Sequence, residues 1–234
     1  AVHPGLCDED SKLFTELGTC DYEAVLSALS TAIRIGTALN QNVDSMMTRR
    51  SSIRDALCKA VGHVHVGRDV LGSDRLKFIA TELKKYKWVF TTNYDLIVYW
   101  AIVGSLEYST EFKDYFFGNK TPTEVAFDLL NTSVTGSPAL VLYLHGGLHL
   151  VGGSNGRAAK RKHITGQSIL DQIHYGIDER ALLFIAEGSA DDKLTSIYRS
   201  QYLAFALQKL QHFDEPLVVL GHSLGDPDRH IVQA

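Results

Sequence analysis

Lys87-Trp88-Val89-Phe90-Thr91 runs straight into Thr92-Asn93-Tyr94-Asp95, a largely apolar segment that stops abruptly in polar residues. Three more runs share this form. Ala139-Leu140-Val141-Leu142-Tyr143-Leu144 precedes His145-Gly146-Gly147, Ala181-Leu182-Leu183-Phe184-Ile185 precedes Ala186-Glu187-Gly188-Ser189, and Leu217-Val218-Val219-Leu220 precedes Gly221. Strands wetted on one face alternate polar and apolar residues, whereas near-continuous apolar runs are expected of parallel strands covered on both faces. Stretches long enough for crossover helices lie between them, at Asp95 to Val103, Thr123 to Leu130 and Leu194 to Leu210. The pattern predicts an α/β fold: a doubly wound, Rossmann-like parallel sheet with flanking helices over 87–234. Ligands of such sheets sit outside the carboxyl ends of the strands.

Upstream, the N-terminal portion reads as mainly helical over 21–86. Val25, Leu26, Leu29 and Ile33 recur on one helical face, as do Ile53, Leu57, Ala60 and Val61, then Leu76, Ile79 and Leu83. Asp21 and Ser45 are suited to N-capping. Glycines 62, 67 and 72 interrupt the pattern before a helix expected from about Asp74 to Tyr86. The polar stretch from Gly152 to His163 reads as a mobile loop, with its basic run as a solvated face.

The 234 residues, 45% hydrophobic, suffice for a single domain with one core. A formal net charge of -4 gives no reason to expect nucleic acid or an anionic membrane as partner. Three cysteines, Cys7, Cys20 and Cys58, lack the pairing of a disulfide framework or a thiolate metal site, and no metal is expected. With no apolar run long enough to span a bilayer and no signal-peptide pattern at the N-terminus, a cytoplasmic location is expected. Oligomeric state is left open.

The candidate site residues stand at the strand ends. Asn93 and Asp95 can present an amide and a carboxylate to one crevice, although taken alone they are better explained by an Asx turn and a helix cap. His145 is a candidate general base or a structural histidine, and Gly146 beside it allows close backbone approach. Glu187 suits a ribose hydroxyl or a loop cap. Gly221-His222-Ser223-Leu224-Gly225 matches the nucleophile elbow of α/β-hydrolases, but too little chain follows Ser223 before Ala234 to supply that fold's later acid and histidine. Ser223 therefore reads as a hydroxyl and amide donor at a helix start, with Asp226 as N-cap and Pro227 at the first helical position.

Taken in order, Thr92-Asn93-Tyr94-Asp95, Leu144-His145-Gly146 and Gly221-His222-Ser223-Leu224 with Asp226-Pro227-Asp228 resemble the sirtuin-like NAD-binding fold, in its uncharacterised bacterial branch. The resemblance covers roughly Lys87 to the end. It implies NAD as the cofactor, Asn93 and His145 as catalytic residues, and Thr92, Asp95, Gly146, Glu187, Gly221, Ser223 and Asp226 around the nucleotide. The family's N-terminal strand and glycine-rich phosphate loop have no match near Ala1 to Leu17, so residues upstream are expected to supply them. The deacylases' four-cysteine zinc module is also missing, since no cysteine follows Cys58. The implied activity is therefore NAD hydrolysis rather than deacylation. A noncatalytic nucleotide sensor, a serine hydrolase using Ser223 and a protein interaction module are the alternatives.

Overall fold

The computed structural model describes residues 6–105, 108–153, 155–162, 168–170, 182–185 and 189–234. They form a mixed α/β structure divided into two compact units, one of 1–64, 186–195 and 219–233, the other of 65–185, 196–218 and 234.

The first unit is helical. It begins with α1 (Asp8–Glu16), α2 (Tyr22–Ala38) and α3 (Asp44–Val64). The expected stripes are buried in part: Val25, Leu26 and Leu29 on α2, and Ile53 and Leu57 on α3, which packs against it, whereas Ile33, Ala60 and Val61 are half-buried. Asp21 caps α2 as its short side chain predicts, its Oδ1 accepting from the Glu23 amide at 2.8 Å. Ser45 does not cap α3 but lies inside it, because Asn42 Oδ1 takes the Asp44 amide first, at 2.8 Å. Asp10 of α1 is buried and accepts from Ser52 Oγ at 2.6 Å and Arg49 at 3.3 Å.

The second unit opens with two helices, α4 (Arg68–Leu71) and α5 (Ser73–Leu83). Its first sheet contains β1 (Trp88–Thr91), β2 (Phe112–Lys113) and β4 (Ala139–Tyr143) in the order β1-β4-β2, all parallel. Between β1 and β2 lie α6 (Ile97–Val103) and α7 (Tyr108–Glu111). The second sheet is antiparallel and contains β3 (Glu124–Ala126), β5 (Gly146–Gly152), β6 (Ala158–Arg161) and β7 (Leu182–Phe184), in the order β3-β6-β5-β7. Two further helices are α8 (Ala190–Tyr198), which starts in the first unit, and α9 (Gln201–Gln211). Tyr202 of α9 is fully buried against β4, its hydroxyl accepting from the Tyr143 amide at 3.1 Å. No helix among the described residues is long and apolar enough to cross a membrane.

Several expectations are corrected. The run at Leu182–Phe184 is a strand but an antiparallel one. Apolar content reports burial, not direction, and direction here comes from β5, which doubles back beside it. Thr123 to Leu130 is not a crossover helix: Glu124–Ala126 pairs with β6, and long-range pairing overrides local helix preference. Leu194 to Leu210 is broken at Ser200, whose Oγ accepts from the Leu203 amide at 3.4 Å and starts α9 afresh. Leu217 to Leu220 forms no strand among the described residues and stays exposed, Leu220 at 94%, because a ladder requires a neighbouring edge that an apolar run alone does not specify. The stretch read as a mobile loop carries β6, whose Lys160 and Arg161 are buried rather than solvated.

Candidate functional site

The carboxyl ends of β1 and β4 carry the candidate site. The two strands are parallel neighbours with Thr91 opposite Tyr143, so the chain leaves both on the same side of the sheet. Hydrogen bonds continue past the strands. Leu144 N donates to Thr91 O at 2.8 Å, and Leu148 N donates to Tyr94 O at 2.8 Å. The loop bearing Thr92, Asn93 and Asp95 is therefore bonded to the segment bearing His145 and Gly146.

Each residue has its own local cause. Thr91 Oγ1 accepts from the Asn93 amide at 3.2 Å and turns the chain out of β1. Thr92 is half-buried, whereas Asn93 is exposed and its carboxamide has no partner among the described residues. Asp95 Oδ1 accepts from Ile97 N at 2.8 Å, the Asx-type turn expected of an aspartate before a helix, which leaves its second oxygen for other work. His65, unnoticed in the sequence, supports the same turn. Its Nε2 accepts from Leu96 N at 2.8 Å, so its Nδ1 carries the proton toward Val66 O, also at 2.8 Å.

His145 is buried at the corner where β4 gives way to β5. Its carbonyl accepts from Ile185 N at 2.8 Å. Gly146 follows with φ +79°, and a Cβ there would fall on the Leu183 carbonyl oxygen and lie 2.9 Å from the carbonyl carbon. Close approach of β7 therefore requires this glycine. At Gly147 a Cβ would sit 2.9 Å from Cε1 of His149.

Behind the corner lies a buried polar cluster that the apolar patterns concealed. Asp114, 1% exposed, forms an ion pair with Lys160, 7% exposed. Tyr99 of α6 donates to Arg161 O at 3.4 Å, and burial first, then the Asp114 charge, pushes its hydroxyl up to about 12. His149 is fully enclosed between Tyr99, with ring centroids 4.6 Å apart, and Tyr143, at 4.4 Å. Neither of its ring nitrogens has a hydrogen-bond partner among the described residues. Burial, aided by the Lys160 charge, holds its pKa well below the ordinary histidine range, so it stays neutral. The only signal for this cluster was the basic pair Lys160-Arg161 directly after Ala158-Ala159, and its acidic partner is distant in sequence.

The remaining candidates lie in the first unit or outside the described residues. Gly221 has φ +67° and open space around it. Ser223 is exposed, and its Oγ bonds to no imidazole among the described residues, while His222 Nδ1 is taken by Leu224 N at 2.9 Å. With no strand ahead of it either, the nucleophile-elbow geometry is not met. Asp226 does not cap the following turn. Gly225 holds that position, and Asp226 opens a short 3-10 helix (Asp226–Asp228) with Pro227, followed by α10 (Arg229–Val232). Asp228 pairs with Lys193 at 2.9 Å and His222 at 3.5 Å, which sequence reasoning missed. Glu187 lies outside the described residues.

The parallel strand pair, with polar loops at its carboxyl ends, belongs to a mixed α/β structure. Residues 2–234 match the family described as Domain of unknown function (DUF4917), and the chain belongs to that family. No curated protein matches it.

Proposed function

We propose that this domain is sirtuin-like in fold and that the complete protein is an NAD glycohydrolase, with the nicotinamide end of NAD at the carboxyl ends of β1 and β4. The reading is supported most by the bonded pairing of the Asn93 loop with the His145 corner across two parallel strands. That is the location where open α/β sheets take ligands. In the reaction, the bond between the ribose C1′ and the nicotinamide nitrogen breaks and its electron pair leaves with nicotinamide. A water oxygen bonds to C1′, and the water's proton passes to the His145 imidazole. The unpartnered Asn93 carboxamide orients the water or the ribose, and the second Asp95 oxygen accepts from the carboxamide or a ribose hydroxyl.

Nicotinamide release from NAD, followed chromatographically for the complete protein and its Asn93→Ala and His145→Ala forms, tests this reading. Both substitutions should lower the rate by about 10²-fold or more. Equal rates in all three proteins overturn it. The burial of His145 favours a second reading, a sensor that binds NAD without turning it over. Calorimetric binding with no nicotinamide released would select that reading.

A further inference from the structure

A cavity of about 540 Å³ opens in the second unit among α4, α5, α6 and residues 168–170, and it contains none of the strand-end residues. Cavities of roughly 300–1,000 Å³ are the size that encloses small organic ligands. Its inner wall is apolar and aromatic, formed by the buried side chains of Leu76, Tyr99, Trp100 and Ile169. Its rim is charged. Arg68 and Lys77 are exposed, and neither has an ion-pair partner among the described residues. Among the described lining residues Asp69 is the single carboxylate, a balance of one net positive charge.

Two further features bear on what the cavity takes. Trp100 is 7% exposed and edge-on to His65 at 5.0 Å, which fixes its ring in the cavity wall. Arg68 is also held near the end of α6, since a Cβ added to Gly104 would lie 3.2 Å from one of its guanidinium nitrogens. The guanidinium thus lies at the lip of the cavity.

We propose that this cavity is a second ligand site, selective for a small planar aromatic ring carrying one anionic group. The ring occupies the wall formed by Tyr99 and Trp100. The anion pairs with Arg68, assisted by Lys77, in the fork geometry a guanidinium offers a carboxylate or phosphate. A neutral ring leaves Arg68 unanswered, and an anion without a ring leaves the aromatic wall wet.

The 234-residue chain has two tryptophans, so Trp88→Phe leaves Trp100 as its sole indole reporter. In that 234-residue chain, fluorescence is titrated with benzoate, benzamide and acetate. Benzoate should quench saturably, with the other two at least about tenfold weaker, the loss expected for one charge-assisted contact or for the ring. Arg68→Ala should weaken benzoate roughly tenfold or more and remove its advantage over benzamide, with Arg68→Lys in between. Arg68 is exposed and unpaired, so the variant should keep the parent's circular dichroism; Lys77→Ala provides an independent, smaller loss in the same direction. Absence of saturable quenching, equal affinity for benzoate and benzamide, equal affinity for benzoate and acetate, or indifference to both cation substitutions each overturns the proposal. Phenyl phosphate in place of benzoate distinguishes a carboxylate from a phosphate source. None of these readouts depends on NAD.

Discussion

Gly146→Ala is the substitution whose cost the structure specifies most fully. Gly146 has φ +79°, a conformation that costs a residue with a Cβ about 1–2 kcal/mol. The added Cβ also has nowhere to go. It would meet the Leu183 carbonyl oxygen and approach both the carbonyl carbon and Phe184 Cα to 2.9 Å, all backbone atoms of β7. Forcing β5 and β7 apart adds an overpacking cost of about 1–3 kcal/mol. The expected total is about 2–5 kcal/mol, a large share of the roughly 5–15 kcal/mol that holds a typical domain folded. Gly136→Ala is the internal control, because Gly136 has the same φ of +79° with only Pro138 Cδ nearby, at 3.9 Å. It should cost the conformational part alone, about 1–2 kcal/mol. Equilibrium urea unfolding of the two variants beside the parent measures the difference directly. If the two lose the same stability within about 0.5 kcal/mol, Gly146 is not required by β7 and the close approach has been misread.

Two other consequences are measurable in the same way. Asp114→Asn strands the Lys160 ammonium in a buried site and should destabilise by about 3–5 kcal/mol, whereas Asp114→Leu combined with Lys160→Met should recover most of the loss; a double-mutant cycle showing no coupling refutes the pairing. His149 is neutral in the folded protein, its pKa held well below its unfolded value by burial and then by Lys160, so its contribution is fully present above about pH 6.5 and is lost progressively as pH falls below that value. His230, also lowered by burial, has the same sign, so His149→Phe should flatten but not abolish the acid slope; an unchanged slope between pH 6.5 and 5 tells against this assignment.

What could be read from the residues alone divides along a physical line. Ala139–Tyr143 was legible because a strand covered on both faces must be apolar along its length, and all of it is buried; Trp88–Thr91 was legible as an apolar run too, although this edge strand is only half-buried. The α2 and α3 stripes were legible for the same reason at helical period. Lys160 and Arg161 defeated the reading of β6, since charge in a sequence signals solvent unless a compensating partner is known, and Asp114 is far away in the chain. His149 was hidden differently: its companions Tyr99 and Tyr143 sit on other elements, and only packing brings the three rings together. Leu217 to Leu220 shows the converse error, an apolar run with no edge to join among the described residues. Of the candidate site, the strand-end positions of Asn93 and His145 were legible, but the role of Gly146 toward β7 and the support from His65 were not, because each depends on a neighbour chosen by topology.

The position of His145 has a consequence for how any chemistry there would be organised. The residue occupies the joint between two sheets. On its amino side, Leu144 is tied to β1 through Thr91 O; on its carboxyl side, its own carbonyl is tied to Ile185 just beyond β7, and Gly146 opens β5 at once. A side chain at such a joint is placed by backbone bonds belonging to both sheets, none of which uses the imidazole. Positioning of this kind is what lets a reacting group act without paying for its orientation at the moment of reaction. It also separates the two ways in which a variant can fail. His145→Ala keeps every one of these backbone bonds, so on the proposed reading it should lose turnover with a smaller loss of stability than Gly146→Ala, which disturbs the joint itself and should lose stability and turnover together. If His145→Ala were as unstable as Gly146→Ala, the imidazole would be part of the joint's structure and not a group presented by it.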